Sequence, residues 1–364
     1  MAARPLARKD LDHILNSTRS LWQEVRGQRL FVTGGTGFFG CWLVESFCHI
    51  NRELDLGAQM VILSRTPAAF KAKLPHIASD SAISLLEGDV RDFTFPGGEF
   101  RYVIHAATAA SAMQAKEAPL EMLTTILTGT QRTLDFAASH GAKKFLLTSS
   151  GAVYGKQPAA LTHVAETYAG APNPLDAESV YAEGKRVSEL MCAIYQKVLS
   201  RKPGAVQGNV PLEFKIARCW AFCGPHLPLD AHFAIGNFIG DVLAGRPIHI
   251  RGDGTPRRSY LYASDLAIWL WTILFRGPNL IPLNVGSAHD LSILELAQLV
   301  VQTLSSKSEI LVAKRPTKGT KIARYVPSVD RAAELLGLGE TVNLQDAILR
   351  TVAWHGRSAT DTLI

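Results

Sequence analysis

Three glycines spaced three apart, Gly34, Gly37 and Gly40, separate an apolar run from a periodic one, and this arrangement limits the fold more than any other feature of the 364 residues. Leu30-Phe31-Val32 reads as a short buried strand, and Phe38, Cys41, Trp42, Val44, Glu45 and Phe47 read as the helix that follows. A strand, a tight glycine turn and a helix start leave backbone N–H groups and the positive end of a helix dipole facing outward. That combination suits the pyrophosphate of a dinucleotide. The spacing is G-x-x-G-x-x-G rather than G-x-G-x-x-G, and glycines placed here also serve packing alone.

Strand-like runs at 60–63, 84–86, 102–105, 144–148 and 214–219 alternate with helical stretches. This rhythm predicts an α/β fold, a doubly wound parallel sheet of Rossmann type whose ligands gather at the carboxyl ends of the strands. Residues 8–26 predict one helix packed ahead of the first strand, so 1–26 form an N-terminal helical extension. Residues 27–221 form the nucleotide-binding domain, with a returning segment near 260–287. Residues 222–259 and 288–364 form a smaller region, and loops are expected at 168–174, 201–211 and 224–228.

With 47% hydrophobic and 19% charged residues, the chain can bury a large core. The net charge of +6 is spread along the sequence, clustered only at Lys143-Lys144 and Arg257-Arg258. It fits an anionic small substrate better than nucleic acid. The five cysteines lack metal-ligand spacing, so no metal is expected. Residues 266–275 are too few to span a bilayer, and the expectation is a cytoplasmic protein with no membrane partner.

The strand exits carry the chemistry. Ser64-Arg65 stands where such folds read the adenosine ribose. An arginine there offers a fork to a 2′-phosphate where an acid would accept from a 2′-hydroxyl, which tilts the cofactor toward NADP over NAD. Asp89, followed by Val90, either accepts from an adenine amino group or caps the next turn. His105-Ala106-Ala107 leaves room for pyrophosphate or nicotinamide, with His105 itself as a satisfied residue beneath the cofactor. Tyr181 and Lys185 lie one helical turn apart, so an ammonium can lower the phenol's pKa and hold a ribose. Ser150, at the end of the run through 144–148, can share the same substrate oxygen. A base and two hydrogen-bonding partners of this kind suit hydride exchange at an alcohol or ketone.

Taken together, Thr33-Gly34-Gly35-Thr36-Gly37-Phe38-Phe39-Gly40, Gly88-Asp89-Val90, His105-Ala106-Ala107, the segment 149–155, Tyr181-x-x-x-Lys185 and the segment 252–258 resemble the extended short-chain dehydrogenase/reductases, the nucleotide-sugar epimerases and dehydratases. The resemblance runs from about residue 28 to 350. It implies NAD(P) held by Gly34, Gly37, Phe38, Phe39, Gly40, Ser64, Arg65, Asp89, Val90, His105, Ala106, Ala107, Tyr181 and Lys185. It also implies catalysis by Ser150, Tyr181 and Lys185, and a nucleoside-diphosphate sugar met by Ser150, Asn237 and Arg258. A homodimer formed by paired helices is part of the same expectation.

The departures discriminate further. Members that remove water across C5 and C6 place an Asp-Glu pair after the serine or threonine, and the decarboxylating branch also places a Glu there. Here the positions are Gly151 and Ala152, which transfer no proton. A 4-epimerase is favoured, with an NADPH-dependent 4-keto-sugar reductase as the alternative and a non-catalytic cofactor sensor as one of another class. Ile126 and Ala221 stand where the family usually has asparagine.

Overall fold

The computed structural model describes residues 3–108, 112–201, 211–231, 233–317, 319 and 321–356. His232 and most of the expected 201–211 loop lie outside the described residues. Seven strands form one sheet: β1 (Arg29–Thr33), β2 (Gln59–Ser64), β3 (Ile83–Glu87), β4 (Tyr102–His105), β5 (Lys144–Ser150), β6 (Glu213–Cys219) and β7 (Pro282–Val285). Their order is β7-β6-β5-β4-β1-β2-β3, with β1 to β6 paired in parallel register. Strands β1, β2, β4 and β5 are buried nearly throughout, as a parallel sheet covered on both faces requires. Strand order reverses between β1 and β4, and that switch point is where a parallel sheet opens a crevice at its carboxyl edge.

The chain divides into two compact units, one spanning 1–155, 171–219 and 267–283, the other 156–170, 220–266 and 284–364. In the first, helices α1 (Arg8–Thr18), α2 (Phe38–Glu53), α3 (Pro119–Ser139) and α4 (Val180–Leu199) accompany the sheet, and α3 lies alongside α4. Phe31, Phe93, Phe100 and Phe136 make an aromatic nucleus, with the Phe31 and Phe136 rings 4.4 Å apart. Trp22 is fully buried against Trp271 and Phe275, so the N-terminal segment is part of this core and not a separate extension.

The single helix expected over 8–26 breaks at Thr18 and continues as a 3₁₀ helix, Arg19–Val25. The Thr18 hydroxyl donates to the Ile14 carbonyl at 2.6 Å and accepts from Trp22 Nε1 at 3.0 Å, which tightens the chain so that the indole turns inward.

In the second unit, strand Arg257–Ser259 lies between Asp290–Ser292, antiparallel, and Arg324–Tyr325, parallel. Helix α5 (Ala234–Leu243) belongs here. So does 156–170, which the sequence reading assigned to the nucleotide-binding domain. The Val326 amide donates to Gln157 Oε1 at 2.9 Å, the Val164 amide donates to the Val326 carbonyl at 2.9 Å, and Asn284 Nδ2 donates to the Val164 carbonyl at 2.9 Å. Such pairing joins segments far apart in sequence and leaves no local signal.

Candidate active site

A cleft of about 230 Å³ opens at the carboxyl ends of β1, β2, β3 and β4. Gly34, Gly37, Ser64, Arg65, Asp89, Val90, Ala106 and Ala107 line it, as the sequence suggested. Thr36, Leu63, Gly88, Thr108, Glu121 and Thr125 line it too and were missed. Thr108 sits three residues beyond His105 on the same strand exit. Glu121 and Thr125 come from α3, whose rotation the sequence does not disclose. Gly34, at φ +75°, and Gly40 are needed by the turn itself, because a Cβ would overlap Ala106 backbone at the first and the Gly34 carbonyl oxygen at the second. Gly37 differs: it is exposed, and a Cβ there would meet only the Gly34 carbonyl oxygen at 3.5 Å. It is also the N-cap of α2 and supplies no capping side chain, so the first-turn amides of a sixteen-residue helix have no intrahelical acceptor.

The other strand-exit residues take distinct parts. Ser64 is buried and accepts from the Thr66 amide at 3.3 Å. Arg65 is exposed on the cleft and makes no ion pair among the described residues. Asp89 caps its turn, accepting from the Arg91 amide at 2.9 Å and from the Arg91 guanidinium at 2.8 and 3.1 Å. The Arg91 hydrogen bond holds the Asp89 carboxyl below its usual range. His105 does not line the cleft. Its Nδ1 bonds Thr33 Oγ1 at 2.8 Å and its Nε2 bonds Thr130 Oγ1 at 3.2 Å. Burial, with Lys185 adding to it, pulls the imidazole down to about 3, so it is neutral and tethers β4 to β1 and α3. Phe38 and Phe39 open α2 with their rings 5.8 Å apart, outside the cleft lining.

Strand β5 and helix α4 bring Ser150, Tyr181 and Lys185 together. Ser150 ends β5, where its hydroxyl accepts from the Ala152 amide at 3.1 Å and lies near enough to the Tyr181 phenol to lower its pKa. Lys185 is buried and donates to the Thr148 carbonyl at 2.8 Å. Burial pulls it down to about 8, opposed by Cys219 and Glu189. The sequence suggested a phenol tuned downward, and the structure differs: burial pushes Tyr181 up to about 12, and only Ser150 pulls the other way. The lysine ammonium is held by the Thr148 carbonyl, and the burial of the phenol outweighs what lowers its pKa. Gly151 and Ala152 follow Ser150 in a 3₁₀ turn and carry no ionisable group. Ile126 of α3 is buried against Gly184, between the two catalytic positions of α4, making that wall apolar.

In the second unit, the two arginines of the 252–258 segment part ways. Arg257 pairs with Asp290 at 2.5 Å and Glu295 at 3.2 Å. Arg258 donates to the Arg257 carbonyl at 2.8 Å and lies 5.8 Å from the Tyr325 ring, with no acidic partner among the described residues. Asn237 is in the first turns of α5, its Oδ1 shielded from solvent and lacking a hydrogen-bond partner. Among the described residues no group of His, Cys, Asp or Glu could hold a metal, the five cysteines are buried free thiols, and no helix is long and apolar enough to cross a membrane.

Comparison with known proteins agrees with this geometry. The model of the NAD dependent epimerase/dehydratase family matches residues 30–286. The chain belongs to that family. UDP-glucuronic acid decarboxylase 2 of Arabidopsis thaliana is 30% identical over 324 residues, which is 89% of this chain and 67% of that protein. UDP-glucuronic acid decarboxylase 1 of Danio rerio is 28% identical over 331 residues, 91% of this chain and 73% of that one. In fold, the epimerase/dehydratase chain resembles the UDP-glucose 4-epimerase of Thermotoga maritima, solved with UDP-glucose, at TM-score 0.72 and 22% identity over 93% of this chain and 100% of that one. It also resembles the UDP-N-acetylglucosamine 4-epimerase of Methanobrevibacter ruminantium M1, at TM-score 0.74 and 20% identity over 91% and 98% of the two chains. NAD fits the residues present: the open face of Gly37, the uncapped start of α2, and Thr108 Oγ1, which is shielded and unpartnered at the cleft wall, form a cradle with donors to spare.

Proposed function

We propose that this chain is a nucleotide-sugar 4-epimerase. The observation that carries the reading is an intact Ser150–Tyr181–Lys185 trio followed by Gly151 and Ala152, where no side chain can add or remove a second proton. Bound NAD(P) supplies a hydride acceptor that can return the hydride. Tyr181 would take the proton of the C4 hydroxyl as C4 becomes a ketone and, once the ketone has turned over in the site and hydride returns to its opposite face, give that proton back to the C4 oxygen. Ser150 hydrogen-bonds the same oxygen, and Lys185 holds a positive charge behind it. Within the second unit, Arg258 is the proposed diphosphate contact, since a guanidinium without an acidic partner offers a forked pair of donors to phosphate oxygens. Asn237, with an orphaned oxygen, is the proposed contact to the nucleotide. The exposed stripe Leu190, Ile194 and Val198 on α4 supports the homodimer expected from the resemblance.

A second reading, decarboxylation of a nucleotide-linked glucuronic acid, is favoured by the identity to the Arabidopsis enzyme. A C4 ketone stands β to the C6 carboxylate, so oxidation at C4 labilises CO₂ by the same first step. The enolate left behind then needs a proton at C5, which Gly151 and Ala152 do not deliver. Incubating the protein with UDP-glucose, UDP-N-acetylglucosamine and UDP-glucuronic acid separates the readings. A C4 epimer formed without added NADPH supports the proposal. Release of CO₂ with a pentose product establishes the second reading, and NADPH consumption only on a 4-keto sugar makes the protein a reductase.

For the cofactor we propose that Arg65 favours NADP. Arg65→Glu is expected to weaken NADP binding by about tenfold to a hundredfold while NAD binding changes by less than about threefold, because only the 2′-phosphate loses a charged partner. Calorimetric titration with both nucleotides checks this, and equal losses for the two would remove Arg65 from the phosphate site.

A further inference from the structure

Beyond the catalytic trio, α4 carries a third polar residue on the same face. Tyr181, Lys185 and Glu189 follow at intervals of four, and each engages the end of β5. Ser150 acts on the Tyr181 phenol, Lys185 donates to the Thr148 carbonyl, and Glu189 Oε1 accepts from the Ser149 hydroxyl at 2.5 Å. The Glu189 carboxylate is then clamped by Arg218, with Nε to Oε1 at 2.9 Å and Nη2 to Oε2 at 2.6 Å. Arg218 sits opposite Ser149 in the β5–β6 register, and its guanidinium is braced 4.7 Å from the Tyr154 ring. The pair is largely buried, with side chains 15% and 13% exposed, and a buried ion pair with a hydroxyl donor at its side is costly unless its position is useful. Three elements, β5, β6 and α4, are tied at one carboxylate, one residue from the catalytic serine.

We propose that Glu189 is a positioning residue for the reaction: it fixes α4 on β5 so that Tyr181 meets Ser150, and it keeps a negative charge near Lys185 so that the lysine remains an ammonium. The groups that bear on Lys185 are Glu189 from its own helix, Cys219 from β6 and His105 from β4. His105 is neutral, and burial pushes the Cys219 thiol up to about 12, so at neutral pH Glu189 is the charged one of the three. It opposes the burial that lowers Lys185. Without that charge the ammonium is less favoured, and its pKa falls.

The inference rests on the Tyr181–Lys185 chemistry proposed above, and its test needs no substrate. Protein labelled with ¹³C at lysine Cε is titrated by NMR, the Lys185 resonance being assigned by its loss in Lys185→Arg. In Glu189→Gln the acid dissociation constant of Lys185 is expected to rise threefold or more, roughly, as loss of one nearby opposite charge implies. The alkaline limb of turnover, for whichever nucleotide sugar is converted, moves to lower pH by the same factor with KM little changed. Should Glu189→Gln fail to fold because Arg218 is left alone, the double variant Glu189→Gln with Arg218→Gln removes both buried charges. That variant removes two opposite charges together, so a downward shift smaller than that of Glu189→Gln is expected. A Lys185 midpoint that stays at its wild-type value in either folded variant overturns the inference. Absence of turnover on every nucleotide sugar, with the midpoint shifted, overturns the epimerase reading and leaves the role of Glu189 standing.

Discussion

Tyr181→Phe is expected to lower turnover by about a thousandfold and to leave bound cofactor in place, since a positioned acid or base contributes on the order of a hundred- to ten-thousandfold. The substitution removes one oxygen and keeps the aromatic ring at the start of α4. Stability should change by less than about 1 kcal/mol, because the nearby Ser150 hydroxyl keeps its bond from the Ala152 amide and is not left unsatisfied. The direction of the Tyr181 shift sharpens the expectation. Burial pushes its pKa up to about 12, so at neutral pH the phenol holds its proton and is poised to donate to a C4 ketone. To act as a base in the oxidation half it depends on positive charge nearby, and Lys185 at about 8 loses that charge as pH rises. Wild-type turnover should therefore decline above about pH 8, whereas the residual rate of Tyr181→Phe should not follow the same limb. Rate measurements across pH, with chromatography of nucleotide released on denaturation, check both halves. Turnover within tenfold of wild type would show that another group carries the proton. A cellular effect that survives the substitution would favour a cofactor-sensing role.

What the sequence disclosed and what it hid divide along physical lines. The β1–α2 turn was legible because glycine is the residue a crowded turn demands, and at Gly34 and Gly40 the surrounding backbone shows the crowding. The strands were legible because a sheet buried on both faces writes continuous apolar runs, and β4 matches its expected limits while the others extend one or two residues further. Arg65, Tyr181 and Ser150 stood at strand ends or at helical spacing, where local pattern and tertiary position coincide. Glu189 and Arg218 had no such mark. Their meeting depends on the register of β5 against β6 and on the rotation of α4, neither of which a 29-residue separation encodes. The same holds for 156–170, assigned to its unit by pairing with residues near 326, and for the break at Thr18, which one hydroxyl and one indole decide. The pKa of Tyr181 was misread for a related reason. Spacing placed the lysine beside it, but the burial that outweighs what lowers the phenol's pKa is a matter of tertiary packing, and the ammonium is held by the Thr148 carbonyl.

Gly34→Ala and Gly37→Ala, three residues apart in one turn, are expected to fail in different ways. At Gly34 the backbone has φ +75°, a conformation that costs an L-residue roughly 1–2 kcal/mol by itself. The added methyl would also overlap the Ala106 carbonyl carbon and the Ala107 amide, neither of which can yield without moving the end of β4. Together these effects should cost more than about 3 kcal/mol, lowering the thermal midpoint whether or not cofactor is present. Gly37 has φ −83°, ordinary for alanine, and its methyl would touch only the Gly34 carbonyl oxygen at 3.5 Å. The apoprotein should lose no more than about 1 kcal/mol, because alanine is a poorer N-cap than glycine. Yet that methyl would project into the cleft at the start of α2, where the fold brings backbone against phosphate. The cost should appear in cofactor affinity as about 1–3 kcal/mol, roughly a five- to hundredfold rise in Kd. Thermal unfolding with and without NAD, together with calorimetric binding, distinguishes the two. If Gly37→Ala bound NAD as well as the wild type, the phosphates would have to lie elsewhere than over the Gly37 turn, and the assignment of the cleft would fall with that result.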